Sequence, residues 1–117
     1  MKIYVGHASS FDYKTELYKP LKELNLEGVE FILPHEHTTE PRNSLEQMKL
    51  IDLMLAEVSY PSTGLGIEIG WANALGKPVV GIHKTGTIPS PALVEVCREM
   101  VEYSDLYQVS SLVGTFK

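Results

Sequence analysis

Ala56-Glu57-Val58-Ser59-Tyr60-Pro61-Ser62-Thr63-Gly64-Leu65-Gly66-Ile67-Glu68-Ile69-Gly70-Trp71-Ala72 decides the fold. It reads as a strand, a tight glycine loop and the first turn of a helix that carries one carboxylate, Glu68. In helical projection Glu68 shares a face with Trp71, Ala72 and Leu75. That face is apolar and is expected to pack inward, so a carboxylate at its head calls for a reason. A first helical turn supplies one, because its unpaired N–H groups and the macrodipole favour negative charge. Facing a pocket, such a group can attack an electrophilic carbon; the plainer reading is an ordinary first-turn acid. Gly64, Gly66 and Gly70 are expected where the chain turns and where the helix runs closest to the sheet. Ser62 sets a hydroxyl beside the loop amides, a chemistry suited to an anion.

Outward from this stretch, strand and helix patterns alternate. Strands are predicted at 2–6, 29–33, 53–58 and 79–82, with a short fifth at 106–109. Helices are predicted at 13–26, kinked or interrupted by Pro20, from Asn43 or Ser44 to about Ile51, at 65–75 and at 91–103. A short terminal helix or tail closes the chain. Gly76 and Pro78 stop the third helix. The order implies an α/β fold: a single-domain, doubly wound (flavodoxin/Rossmann-like) parallel sheet of four to five strands with helices on both faces. Ligands bind such sheets beyond the carboxyl ends of the strands, here the loops 7–12, 34–42, 59–66 and 83–89. Glu68 lies just past the third.

The chain's 117 residues suit one domain, and 44% hydrophobic with 21% charged residues is the make-up of an ordinary globule. A net charge of −5 argues against a nucleic acid polymer as partner, though not against a small phosphorylated ligand. Cys97, the one cysteine, is expected to be an inert core thiol. With no membrane-spanning run and no leader pattern, a cytoplasmic protein without membrane partners is expected.

Pro61-Ser62-x-Gly64-x-Gly66-x-Glu68-x-Gly70, preceded by Asp52-Leu53-Met54-Leu55-Ala56-Glu57-Val58, resembles the nucleoside 2-deoxyribosyltransferase superfamily. The likeness is strongest to its 2'-deoxynucleoside 5'-monophosphate N-glycosidases and runs closest from Asp52 to Pro78. It implies that Glu68 attacks C1' of a deoxyribose, displaces the base and passes the sugar to water or to a second base. It implies a nucleoside or nucleotide substrate, no metal or organic cofactor, and a homodimer or higher homo-oligomer. Tyr4 matches the tyrosine that holds the glutamate. Ser62 matches the serine used against a 5'-phosphate, where the transferases carry an aspartate, and Ser9 and Ser10 are candidates for further phosphate contacts.

Two positions depart from the family pattern. Ser44 stands where an aspartate assists the leaving base; Glu46 and Asp52 are the nearest carboxylates in sequence. The loop His7-Ala8-Ser9-Ser10-Phe11-Asp12 lacks the arginine of the hydrolases' phosphate loop, and Lys14 is the nearest cation. His7, His35 and His83 each follow a predicted strand and are expected to border one cleft, with His37 nearby. A histidine can protonate a departing purine. His35-Glu36-His37 also has a spacing that a metal can use, although solvated loop histidines are the default. Alternatives to the enzyme are a nucleotide-binding regulatory module of the same fold and a flavodoxin-like or NAD-consuming domain.

Overall fold

Five parallel strands form one sheet in the order β2-β1-β3-β4-β5. The strands are β1 (Lys2–His7), β2 (Glu30–Ile32), β3 (Leu53–Glu57), β4 (Val79–Lys84) and β5 (Glu99–Tyr103). The computed structural model describes residues 1–40 and 43–115. Pro41 and Arg42, in the expected loop 34–42, and the last two residues of the expected tail lie outside the described residues. Because β1 sits between β2 and β3, the chain leaves it in opposite directions on its two sides, and a crevice opens at its carboxyl end.

Alternation along the strands builds two cores. Ile3, Val5, Leu53, Leu55, Val80 and Ile82 face a layer made by α1 (Lys19–Leu24) and α5 (Val109–Gly114). Tyr4, Met54, Ala56 and Val79 face α2 (Leu45–Met48), α3 (Thr63–Ala74) and α4 (Pro91–Val96). Pro20 marks a change of helix: Lys14–Tyr18 is a π-helical turn, and α1 begins at Lys19, whose N–H reaches the Lys14 carbonyl. Proline has no N–H to carry the earlier ladder across.

The helix that carries Glu68 starts earlier than its sequence suggests. Ser62 is the N-cap of α3 and accepts the Leu65 N–H at 3.2 Å. Gly64 and Gly66 are therefore helical, and Glu68 is in the second turn, beyond the unpaired amides of the first. The face turned inward is Leu65, Ile69 and Ala72, while Leu75 is 38% exposed. A Cβ on Gly64, Gly66 or Gly70 would meet nothing within 4 Å. The close approach is made from the strand side, at Gly6. Lys77 N–H to Ala72 O at 2.9 Å and Gly76 N–H to Asn73 O at 3.0 Å then end the helix, with Gly76 at φ +74°.

The carboxyl-terminal third corrects two expectations. Residues 91–103 are not one helix: α4 stops at Val96, Cys97 turns extended, and β5 runs beside β4. Glu99 and Glu102, inside that expected helix, stand instead on an exposed edge strand. Met100 packs where Gly81 has no side chain, a pairing of β4 with β5 that helical spacing conceals. Residues 106–109 are not a strand: a 3₁₀ turn, Leu106–Gln108, leads into α5. Asp105 and Gln108 form a capping box there, a signal present in the sequence. Cys97 is half-buried, and burial pushes its thiol up.

Candidate active site

A cavity of about 320 Å³ opens at the carboxyl end of β1. Tyr4 and Glu68 form its floor together with Ser44. His7 and Ser9 come from the loop after β1, and Pro34, His35 and Thr39 from the loop after β2. Ser62, Gly64, Ile67 and Trp71 line the α3 side. Three of the four expected loops thus meet here, and 83–89 does not. Of the residues singled out in the sequence, Gly66 and Ser10 are not among the lining residues.

At the centre, Tyr4 Oη donates to Glu68 Oε2 at 2.5 Å, and Ser44 Oγ donates to the same oxygen at 2.5 Å. β1 places Tyr4 on the α3 side of the sheet because it alternates with the core residues Ile3 and Val5. Burial, and then the Glu68 charge, pushes the Tyr4 phenol far up, so it stays a donor. Ser44, the N-cap residue of α2, makes no side-chain cap bond and turns to Glu68, while Asn43 Oδ1 accepts the Leu45 N–H at 2.9 Å. Two hydroxyl donors on one oxygen, rather than first-turn amides, are what hold the Glu68 carboxylate. Oε1 stands 3.7 Å from the position of a Cβ on Gly6, so the missing side chain leaves room beside it.

The histidines divide. His7 is only 8% exposed, with Nδ1 at 2.8 Å from the Ala8 carbonyl and Nε2 at 2.6 Å from Tyr18 Oη. A carbonyl only accepts, so Nδ1 carries the proton and Nε2 accepts from Tyr18. Tyr18 Oη in turn accepts the His35 N–H at 3.0 Å. Burial lowers the His7 imidazole, so it is neutral rather than a solvated loop cation. His35 directs Nδ1 to the Thr38 carbonyl at 3.1 Å and borders the same cavity. His83 is apart, bonded to Thr87 Oγ1 at 3.1 Å, and His37 lies beside Glu36 at 3.7 Å. Among the described residues no three His, Cys, Asp or Glu side chains are grouped to hold a metal ion.

Neither carboxylate near Ser44 in sequence reaches the site. Glu46 pairs with Lys49 at 3.0 Å on the surface, and Asp52 accepts the Lys2 N–H at 2.7 Å, at the opposite end of the strands. Among the described lining residues none is Lys or Arg. Lys14 lies on a separate depression with Tyr18 and Glu36. Lys84, which sequence reasoning passed over, clips two site loops together. Its Nζ stands 4.8 Å from the Phe11 ring and 5.1 Å from the Tyr60 ring, and pairs with Glu16. Also unforeseen is Glu57, 1% exposed, which accepts from Tyr103 Oη and from the Ser59 N–H at 2.6 Å. It lies in the other core and fixes the start of the loop to Ser62. Tyr107, in contrast, is 72% exposed. No helix among the described residues is long and apolar enough to cross a membrane.

No model of a known protein family matches the chain. It is 31% identical over 96 residues to a Thermofilum pendens protein named as a 2'-deoxynucleoside 5'-phosphate N-hydrolase, covering 70% of this chain and 67% of that one. It is 40% identical over 66 residues to the 5-hydroxymethyl-dUMP N-hydrolase of Rattus norvegicus, covering 56% of this chain and 36% of the rat protein. The match thus spans only about a third of that relative's length. Among solved structures, the CMP N-glycosidase of Clostridium botulinum superposes with a TM-score of 0.66 at 21% identity, over 97% of this chain and 99% of that one. A 2-deoxyribosyltransferase from Bacillus psychrosaccharolyticus gives 0.65 at 22%, over 94% and 90%. A flavodoxin-like domain from Synechococcus gives 0.55 at 15%, over 97% and 94%. These superpositions show a shared flavodoxin-like fold.

Proposed function

The chain belongs to the nucleoside 2-deoxyribosyltransferase superfamily, and from that premise we propose that it cleaves the N-glycosidic bond of a 2'-deoxynucleoside, taken as its 5'-monophosphate. The observation that carries the reading is the paired anchoring of Glu68 Oε2 by Tyr4 and Ser44 on the cavity lining, which leaves Oε1 as the oxygen they do not hold. Oε1 bonds to C1' as the C1'–N bond breaks and its electron pair leaves with the base. A 2-deoxy sugar lacks the electron-withdrawing 2'-hydroxyl, so positive charge develops at C1' more easily, and the carboxylate stabilises it. Water, or the nitrogen of a second base, then attacks C1' and frees Glu68. The departing base nitrogen takes up the proton that the attacking water gives up.

Ser62 anchors the 5' end in this proposal. Its oxygen accepts the Leu65 N–H, so its own proton is free for a phosphate oxygen, and Ser9 lies on the same cavity. Gly64 lets the phosphate approach the start of α3, with Gly66 in the same turn, Ser10 beside Ser9 and His7 holding the loop. The domain is read as spanning the whole chain, and the setting as a reducing cytoplasm. A second copy of the chain is the expected partner: Ile67 of α3, 48% exposed, borders the cavity, and Leu75 at the end of that helix is 38% exposed.

Chromatography of the products from the four 2'-deoxynucleoside 5'-monophosphates tests the chemistry, with Glu68→Ala as control. Free base from the native protein and none from the variant is the expected result. No base from any substrate at high protein concentration overturns the hydrolase reading and leaves a nucleoside transferase or a binding module. Thermal stabilisation by a nucleotide without turnover then identifies the regulatory module.

A further inference from the structure

We propose that Ser44 is a positioning residue whose commitment to Glu68 makes cleavage depend on the leaving ability of the base itself. The inference rests on the reading of Glu68 as the nucleophile. Ser44 is 6% exposed, and its Oγ lies 2.5 Å from Oε2, as does Tyr4 Oη. A carboxylate only accepts, so both hydroxyls donate to it. The two lone-pair positions of Oε2 are filled, and Oε1 is the oxygen left to bond C1'. Both hydroxyl protons on the cavity floor are thereby committed to the nucleophile, and neither is available to a departing base.

Two histidines of the cavity are held by partners of their own. His7 has each ring nitrogen within hydrogen-bond distance of a partner, Ala8 O and Tyr18 Oη. His35 gives its Nδ1 proton to the Thr38 carbonyl. Glu68 is the sole carboxylate among the described lining residues, none is Lys or Arg, and the hydroxyls of Ser9, Thr39 and Ser62 are too weakly acidic to protonate a departing base. The C1'–N bond breaks, its electron pair stays on the base nitrogen, and the base leaves as an anion that water protonates. The hydroxide so formed attacks C1' and releases the carboxylate of Glu68. The sum is one substrate and one water in, one neutral base and one sugar phosphate out.

The test compares kcat within two near-isosteric pairs, dUMP with 5-fluoro-dUMP and dGMP with 8-aza-dGMP. In each pair the second base is the stronger acid and the better leaving group. The native protein is expected to release it severalfold faster. Ser44→Ala should keep that ratio while kcat falls by about ten- to a hundredfold with KM unchanged, the loss of one charge-assisted hydrogen bond, and Ser44→Thr should recover most of it. Ser44→Asp sets a second carboxyl against Oε2; the two must share a proton, which supplies the missing acid and brings the ratio toward one. A ratio near one in the native protein overturns the proposal, and a rise in that ratio in His35→Gln would identify His35 as the donor. Native kcat in Ser44→Ala overturns the positioning role. No base from any of the four substrates is a failure of the glycosidase reading itself, and this inference falls with it.

Discussion

Replacing Gly6 by alanine tests how tightly the sheet and the nucleophile are coupled. The new Cβ would fall 2.5 Å from Met54 Cε, 2.9 Å from Leu65 Cδ1 and 3.7 Å from Glu68 Oε1. Carbon atoms in contact rest about 3.5–4.0 Å apart, so the Leu65 methyl must retreat by roughly 0.6–1.1 Å and Met54 Cε by more. The thioether can swing, but Met54 and Leu65 are 0% and 2% exposed and closely packed, and the open side of Leu65 is the cavity it lines. The displacement therefore passes into the first turns of α3. Overpacking of this kind costs about 1–3 kcal/mol, which for a chain of this length lowers Tm by roughly 5–12 °C. Glu68 follows Leu65 on the same helix, whereas Tyr4 stays on its strand, so the bond to Oε2 is stretched. A misplacement of about 1 Å at a reacting group costs on the order of a hundredfold in rate. Thermal unfolding and base release, measured well below the lower Tm, give the two magnitudes. A Gly6→Ala protein with native Tm and native kcat would refute the account of α3 seated on a strand that lacks a side chain there.

Tyr4→Phe leaves Glu68 with the Ser44 bond alone; kcat for base release is expected to fall about ten- to a hundredfold while KM stays near native, and a rise in KM without loss of kcat would contradict the anchoring role. Tyr103→Phe removes a donor from the buried Glu57 carboxylate, which keeps the Ser59 N–H, at a cost of about 1–3 kcal/mol by denaturant unfolding; unchanged stability would show that Glu57 does not depend on it. His7 gives a pH signature with a definite sign. Burial holds its folded-state pKa below the usual 6.5, so the unfolded chain takes up a proton first as the pH falls. Stability is full above that value and is lost below it, down to the folded pKa. Between about pH 7 and 5 the native Tm should fall more steeply than that of His7→Asn, and parallel curves would argue against a neutral buried imidazole.

How much was legible in the sequence differs from element to element. Gly76 and the apolar positions before it announce a helix, because termination and periodicity are local, whereas its start at Ser62 was hidden by the glycines that follow. The four leading strands are likewise marked by their own residues. The stretch from Glu95 to Glu102 misled because charges three and four apart fit a helix as well as an edge strand. What decided between them was the open space above Gly81, contributed by a strand far away in sequence. Glu68 was recognisable as the candidate nucleophile from its motif, but its supports were only half visible. Tyr4 carried a family match, whereas Ser44 read as a loss when its hydroxyl in fact reaches the carboxylate.

Local residues were enough to specify an alternating α/β chain, a parallel sheet and a glutamate after the third strand, since backbone preference and side-chain periodicity act over a few residues. Which protons reach which oxygen was set by packing across the fold. Tyr4 and Ser44 are 64 and 24 residues from Glu68 along the chain, and both come to 2.5 Å from one atom of it. Hydrogen bonds act over about 3 Å, so their partners are set by how β1, α2 and α3 pack together, and no local pattern records that.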